Sequence, residues 1–223
     1  MKHSLPAKPS QEKKFIERRS TPKITVDVCG EKFIVLKNVY DTSTDTELMV
    51  DVVSIKKDQT FIEIGCGSGA VSLLIGRRAK GGVGVDINPA AVRNANLNKK
   101  RLNVKNVEFL VSDVFENVNG TFDVVICNPP YNVYKPADNV EMMFWDDKNS
   151  MKRKFFNQVR KYLKPGGYVY FGWADFEDLD QRLPEKLAKK AGFVFIRKYS
   201  RKRMEGNRTF FVYKFKNSEE SKL

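Results

Sequence analysis

Residues 63–70 read Glu-Ile-Gly-Cys-Gly-Ser-Gly-Ala, and they separate a short apolar segment from a segment of helical character that begins at Ala70. Glycine tolerates the backbone conformations of a sharp turn and lets a ligand approach the main chain at the N terminus of the following helix. The spacing Gly65-x-Gly67-x-x-Ala70 also satisfies the dinucleotide-binding fingerprint. By itself the loop therefore predicts a nucleotide-like ligand without choosing among several.

Segments with strand character alternate with helical segments on both sides of this loop. A capping pattern, Thr44-x-x-Glu47, predicts a helix to about Ile55. The alternation predicts an α/β, Rossmann-like sandwich with helices on both faces of a seven-stranded, mainly parallel sheet that has an antiparallel edge strand. An N-terminal β-hairpin precedes it. The predicted strands are 24–28 and 32–36 in the hairpin, and 60–64, 82–85, 107–111, 122–127, 168–172, 193–199 and 209–215 in the sheet; the further helices are 70–79, 88–101, 151–163 and 179–190.

The chain of 223 residues divides into three predicted parts. Residues 1–20 are polar and interrupted by prolines, and we expect a flexible basic leader. Residues 21–216 form one predicted domain without an internal repeat, and residues 217–223 form a polar tail. No apolar run approaches the roughly 18 residues of a membrane-spanning helix, and we expect neither a signal peptide nor a membrane partner.

The scarcity of histidine excludes several kinds of catalysis. His3 is the only histidine, and it lies in the leader. Serine–histidine and cysteine–histidine hydrolases, histidine general bases and histidine-ligated zinc all need this residue in the folded body. Cys29, Cys66 and Cys127 are too widely spaced for a CxxC metal site. We expect no metal site and a reaction whose chemistry comes from a bound cofactor.

The net charge of +13 is unevenly distributed. Residues 1–23, 93–105, 148–164 and 186–216 together carry +27, which leaves −14 for the rest of the chain. One interpretation is a basic surface compatible with nucleic acid or a ribosomal partner. The other is that the lysines and arginines solvate the outer faces of helices.

Acidic residues follow three successive strands. Glu63 stands two residues before the first glycine, where it would repel a pyrophosphate and suits a ligand with a cationic amino-acid group. Asp86 lies 21 residues after Gly65, in position to accept from ribose hydroxyls. Asp113 ends the third strand, where it can contact an adenine edge. Since the carboxyl ends of parallel strands meet at one edge of a sheet, these residues predict one crevice.

The segment Asn128-Pro129-Pro130-Tyr131 follows the fourth strand of the sheet. Proline has no N–H, so carbonyl oxygens here face no competing donors. The Asn128 side-chain oxygen and the Pro129 carbonyl can accept both hydrogens of a planar –NH2 group and aim its lone pair at an electrophile. Tyr131 offers a face for stacking on a flat substrate. These four residues are the predicted catalytic residues.

Together these motifs resemble the class I S-adenosylmethionine-dependent methyltransferases that carry an Asn-Pro-Pro-Tyr tetrapeptide. Residues 39–48, Val-Tyr-Asp-Thr-Ser-Thr-Asp-Thr-Glu-Leu, further resemble the short form of the HemK-type, or release-factor glutamine, methyltransferases. The resemblance covers roughly residues 32–216. It implies S-adenosylmethionine as cofactor, and some short members work with a small zinc-binding activator subunit. The implied cofactor contacts are Thr46, Glu63, Gly65, Gly67, Gly69, Asp86, Ile87, Asp113, Val114 and Asn128.

Two departures from the family pattern concern the substrate. Thr44 replaces a proline, and residues 144–150 replace a glycine-rich stretch. Phe144 and Trp145 in that segment either line the substrate mouth or cover the edge of the core.

The tetrapeptide leaves two substrates open, because a glutamine amide and the N6 amine of adenine present the same planar –NH2 group. We expect a translation release factor or related protein as substrate, and the alternative is N6-adenine methylation of RNA (ribosomal or transfer) or DNA. The expected location is the cytoplasm. The C-terminal Ser221-Lys222-Leu223 also matches a peroxisomal signal.

Overall fold

The computed structural model describes residues 8–176, 178–203 and 207–217. Seven strands form one sheet in the order β5-β4-β3-β6-β7-β9-β8, and β1 and β2 form a separate hairpin. The strands are β1 (Lys23–Val28), β2 (Glu31–Leu36), β3 (Thr60–Ile64), β4 (Gly81–Asp86), β5 (Val107–Val111), β6 (Phe122–Cys127), β7 (Leu163–Ala174), β8 (Phe193–Arg203) and β9 (Arg208–Asn217); the helices are α1 (Lys8–Ser20), α2 (Thr44–Val52), α3 (Ala70–Gly76), α4 (Pro89–Arg101), α5 (Ser150–Gln158) and α6 (Leu183–Lys190).

The five strands from β5 to β7 run parallel, and their apolar side chains form the core. Ile62 of β3 and Val125 of β6 are fully buried. In the strand order, β4 lies next to β3 toward one edge of the sheet, and β7 lies next to β6 toward the opposite edge. Because crossovers between parallel strands are right-handed, α3 and α5 lie on opposite faces of the sheet. The predicted fold class is confirmed.

The last two strands close one side of the sheet. β9 pairs antiparallel with both β7 and β8, so the antiparallel strand is second from the edge and β8 forms the edge itself. The predicted antiparallel pairing of the C-terminal strands is confirmed. Gly206, in the connection between them, lies outside the described residues.

The β1–β2 hairpin lies against α4. Asn94 and Asn98 of α4 are fully buried, and their side chains pair with the hairpin main chain. The Asn94 side-chain oxygen accepts from Leu36 N at 2.7 Å, and that of Asn98 accepts from Ile34 N at 3.0 Å. Since buried main-chain groups need partners, these asparagines let a two-stranded unit dock on a helix.

The N-terminal segment differs from the expected flexible leader. Residues 8–20 form α1, and its Gln11, Phe15 and Arg18 are buried. Phe15 packs edge-on against Trp145 at 4.9 Å between ring centroids. The expectation of a flexible segment therefore does not hold for residues 8–20, because this contact gives α1 an apolar surface to pack on. Residues 1–7, including His3, and residues 218–223 lie outside the described part.

Several predicted helix boundaries shift in the structure. The N-cap of α2 is Ser43 rather than Thr44, and its capping box pairs Ser43 with Thr46. The last predicted helix begins at Leu183 instead of Leu179. Among the described residues, no helix combines the length and the apolar character needed to cross a membrane.

Candidate active site

A cavity of about 850 Å³ opens at the carboxyl ends of β3, β4, β5 and β6. The pairing of β3 with β6 sets Ile64 opposite Cys127, so Gly65 and Asn128 follow their strands side by side. The cavity is lined by all but one of the predicted site residues: Thr46, Glu63, Gly65, Gly67, Asp86, Ile87, Asp113, Val114, Asn128, Pro129, Pro130 and Tyr131.

Gly69 is the exception: it does not line the cavity and packs against α4 and β5 instead. A Cβ at this position would lie 2.9 Å from Cβ of Ala95 and 3.1 Å from Phe109. Its φ of 83° is in the left-handed region, and Gly65 at 79° shares that conformation. Glycine is thus required at position 69 for close packing of the loop on α4 and β5 as well as for the turn.

Glu63 is buried beneath the loop. Its carboxylate accepts hydrogen bonds from the main-chain N–H of Ser72, at 2.9 Å, and from the Ser72 hydroxyl. Burial raises the pKa of the Glu63 carboxyl from 4.5 to about 8, although the Ser72 hydrogen bonds oppose the shift. The side chain therefore holds the start of α3 in place and lines the cavity at the same time.

Asp86 connects the glycine loop with the end of β4. One carboxylate oxygen accepts from Gly67 N and the other from Asn88 N, both at 2.9 Å. Burial raises the pKa of Asp86. The carboxylate thus orders the main chain of two neighbouring loops at the wall of the cavity.

Asp113 forms an ion pair that the sequence analysis missed. Lys154 of α5 places its ammonium 2.6 Å from the Asp113 carboxylate and also contacts Glu116. The next residue, Val114, is buried at a positive φ of 55°. No spacing rule relates Lys154 to Asp113, because α5 and the segment after β5 meet only in the folded chain.

Asn128 stands at the centre of a partly buried hydrogen-bond network. Its Nδ2 donates to Oδ2 of Asp45 at 2.9 Å, and its Oδ1 accepts from the Tyr131 hydroxyl at 2.7 Å. A Cβ at Gly172 of β7 would lie 2.1 Å from this oxygen, so the glycine leaves the space that Asn128 occupies. No local sequence pattern indicates these roles of Asp45 and Gly172, although Asp45 lies within residues 39–48.

Tyr131 is enclosed instead of presenting an open face. Its side chain is 6% exposed. The ring meets Trp173 and Phe176 edge-on, with centroids 6.0 and 5.9 Å apart. Its hydroxyl lies within hydrogen-bonding distance of Asp45 and Asn128. The expected stacking surface is therefore covered in this structure, because aromatic side chains of β7 and the segment after it surround the ring.

Helix α1 contributes Gln11 to the wall of the cavity. Gln11 donates to Asn132 Oδ1 at 2.7 Å and accepts from Trp145 Nε1 at 2.8 Å. Asn132 directly follows the tetrapeptide and also donates to Asp178. Phe144 and Trp145 line the cavity and also pack on Phe15, which confirms that they cover part of the interior; that they line the substrate mouth stays a prediction.

The segment before α5 is anchored by a buried ion pair. Asp146 accepts from Lys152 Nζ at 2.9 Å, and neither side chain is appreciably exposed. Burial lowers the pKa of Lys152. Lys152 therefore belongs to the interior, whereas the charge pattern of residues 148–164 indicated an exposed basic face.

Comparison with known proteins places these features in a family. A family model described as a methyltransferase domain matches residues 55–208. A provisionally named protein N5-glutamine methyltransferase of Methanocaldococcus jannaschii is 35% identical over 151 residues, which are 65% of this chain and 76% of the relative. A release factor glutamine methyltransferase of Buchnera aphidicola is 29% identical over 182 residues, 71% of this chain and 66% of the relative.

Solved structures share the fold at low sequence identity. Trm5b of Pyrococcus abyssi superimposes with a TM-score of 0.66 and 18% identity, over 90% of this chain and 57% of that protein. The N-methyltransferase NodS of Bradyrhizobium japonicum, solved with S-adenosyl-L-homocysteine, gives a TM-score of 0.56 and 19% identity, over 72% and 79% of the two chains.

Proposed function

The chain belongs to the HemK-type class I methyltransferases, and on that premise we propose that it methylates the side-chain amide nitrogen of a glutamine in a translation release factor. The methyl donor of the family is S-adenosylmethionine. The observation that carries the proposal is the Asn128 network: Asn128 lines the cavity beside the glycine loop, and Asp45 accepts from its Nδ2, which leaves its Oδ1 as the acceptor end of the amide.

The residues of the cavity fit this cofactor. Carboxylates at the ends of β4 and β5, Asp86 and Asp113, suit ribose hydroxyls and an adenine amine. Gly65 and Gly67 leave the main chain open to close approach, since side chains are absent at both positions. Glu63 lies where a cationic amino-acid group would be received. Each of these residue–cofactor contacts is part of the proposal.

The reaction needs little from the protein beyond positioning. Bound S-adenosylmethionine supplies an electrophilic methyl group on a sulfonium centre. Asn128 Oδ1 and the Pro129 carbonyl each accept one hydrogen of the planar –NH2 group, which turns its lone pair toward the donor side of the cavity. The N–CH3 bond would form as the S–CH3 bond breaks, and the alkylated nitrogen would then release its proton to water, so a strong general base is not required. This agrees with the absence of histidine from the described residues.

The enclosure of Tyr131 supports an amide acceptor over a nucleobase. An adenine would need an exposed aromatic face for stacking, whereas the Tyr131 ring is covered by Trp173, Phe176 and Phe210. A glutamine side chain is narrow and needs only the two acceptors. The named relatives act on glutamine, which supports the same choice.

Transfer of labelled methyl from S-adenosylmethionine into separated protein, RNA and DNA fractions tests the proposal. We expect label in protein, in a band of release-factor mass, and its loss after protease. Label that resists protease and is released by ribonuclease or deoxyribonuclease would contradict the glutamine assignment and support adenine methylation.

Two further expectations stay with the proposed function. We propose a cytoplasmic location, and Ser221-Lys222-Leu223 lie outside the described residues. A small activator subunit is tested by assaying the purified chain alone and after co-expression with candidate zinc-binding partners. Activity of the purified chain alone at the level of the cell extract would contradict a required activator.

A further inference from the structure

We propose that Asp45 is a positioning residue that fixes which way the Asn128 amide faces, so that its oxygen and not its nitrogen meets the acceptor. The inference rests on the proposed function only in requiring an acceptor with a planar –NH2 group. It therefore applies whether that group belongs to a glutamine or to an adenine.

Asp45 lies in the first turn of α2 and is 4% exposed. One oxygen, Oδ1, accepts from Ser43 Oγ at 2.7 Å and from Thr46 N at 2.9 Å. The other, Oδ2, accepts from Asn128 Nδ2 at 2.9 Å and from the Tyr131 hydroxyl at 3.0 Å. One carboxylate thus joins the cap of α2 to the catalytic tetrapeptide, 83 residues away in the chain.

The orientation of Asn128 follows from the hydrogen-bonding capacity of a carboxylate. An ionised aspartate accepts and cannot donate, so only the Nδ2 end of the Asn128 amide can face it. The Oδ1 end must then point the other way, into the space left by Gly172. A flipped amide would set its oxygen against the carboxylate and point its –NH2 donors at the acceptor nitrogen, so that the hydrogen otherwise accepted by Asn128 Oδ1 would be left without a partner.

Asp45 also offers an alternative partner for Tyr131. The Tyr131 hydroxyl has one proton and lies 2.7 Å from Asn128 Oδ1 and 3.0 Å from Asp45 Oδ2. When that proton turns to Asp45, the Asn128 oxygen is free to accept from the substrate. The same carboxylate therefore both orients Asn128 and can relieve the hydrogen bond that covers its oxygen in this structure.

Two substitutions distinguish positioning from a structural role. In Asp45→Asn, the new oxygen must face the Thr46 N–H, which is a fixed donor, so the new –NH2 faces Asn128 and selects the flipped amide. We expect kcat to fall about 100-fold, with the acceptor KM and the Kd for S-adenosylmethionine nearly unchanged. In Asp45→Ala the restraint is lost without selecting the wrong orientation, and we expect a smaller fall in kcat.

A purely structural role of Asp45 predicts the larger loss of kcat in Asp45→Ala. Asparagine preserves the side-chain volume and the hydrogen bond from Thr46 N, whereas alanine removes both. The acceptor is whichever fraction the unsubstituted chain labels, and kcat is expressed per cofactor-binding site measured by calorimetry. Asp51→Asn makes the same change at an exposed position of the same helix and serves as the control. The side-chain amide signal of Asn128 in ¹⁵N NMR should shift in Asp45→Asn and stay in place in Asp51→Asn.

Three results would overturn the inference: an unchanged kcat in Asp45→Asn, a larger loss in Asp45→Ala than in Asp45→Asn, or loss of cofactor binding in both. Label that appears only in nucleic acid would refute the glutamine substrate and leave this test intact, so the two failures are distinguishable.

Discussion

The two halves of the cavity are built in different ways. The cofactor half, formed by the glycine loop, Asp86 and Asp113, comes from consecutive strands, and the contact of Gly67 with Asp86 spans only 19 residues. The acceptor half depends on distant partners. Asn128 is held by Asp45, 83 residues earlier, and Trp145 by Gln11, 134 residues earlier. The contact between the glycine loop and Asp86 is thus local in the chain, whereas Asn128 and Trp145 are held by partners from distant parts of it.

Asn128→Ala should have the largest effect on turnover and should leave cofactor binding in place. It removes the acceptor oxygen but touches neither the glycine loop nor Asp86, so we expect kcat to fall about 1,000-fold while S-adenosylmethionine still binds. Methyl transfer assays and titration calorimetry measure the two effects. Full activity would refute the role of Asn128, and lost cofactor binding would show that the halves are not separable.

Gly172→Ala tests the acceptor half from a neighbouring strand. The added Cβ would lie 2.1 Å from Asn128 Oδ1, so the amide must shift, and we expect kcat to fall about 100-fold. Gly167→Ala is the matched control on the same strand, because it crowds Leu163 and the Asp123 carbonyl instead. It should lower the melting temperature without changing kcat per folded molecule. Equal kcat values for the two variants would contradict the packing argument.

Gln11→Ala tests whether α1 belongs to the acceptor half. It leaves buried groups of Asn132 and Trp145 without partners, at a cost of about 1–3 kcal/mol. We expect the acceptor KM to rise about tenfold, with an unchanged Kd for S-adenosylmethionine. Glu12→Ala, at an exposed neighbouring position, should match the unsubstituted chain. A change in cofactor affinity alone would assign α1 to the other half.

Glu63→Gln has the smallest expected effect on turnover and tests the cofactor half through its pH dependence. Because the folded state raises the pKa of Glu63 from 4.5 to about 8, the native protein binds this proton more tightly than the unfolded chain does. The associated stability is present below pH 4.5 and is lost as the pH rises through about 8. Over this pH range the melting temperature of the unsubstituted chain should fall relative to that of Glu63→Gln. Parallel pH profiles would refute the assigned shift.

Much of the cofactor half could be predicted because its signals are local. Glycines with positive φ, an acid at a strand end and a helix start are each encoded within a few residues, and parallel pairing then brings strand ends together. Of the residues predicted to contact the cofactor, Gly69 does not line the cavity. The sequence could not show this, because a glycine required for packing and a glycine required for ligand approach look identical in sequence.

The acceptor half shows the limits of local patterns. Residues 8–20 have the composition of a flexible segment, yet tertiary contacts such as those of Phe15 with Trp145 and of Gln11 with Asn132 bury one side of their helix. Lys152 has the sequence environment of an exposed basic face, yet it pairs with Asp146 in the interior. In both cases the deciding partner is supplied by tertiary contact.

The sequence alone determined the α/β alternation, the glycine-rich loop and the place of the tetrapeptide after a strand, because backbone conformation and strand periodicity depend on near neighbours. Only the tertiary structure decided the orientation of Asn128, the enclosure of Tyr131 and the place of α1 in the cavity wall. Hydrogen-bond direction and burial depend on which distant groups meet, and a carboxylate such as Asp45 imposes a direction only on the group that folding brings against it.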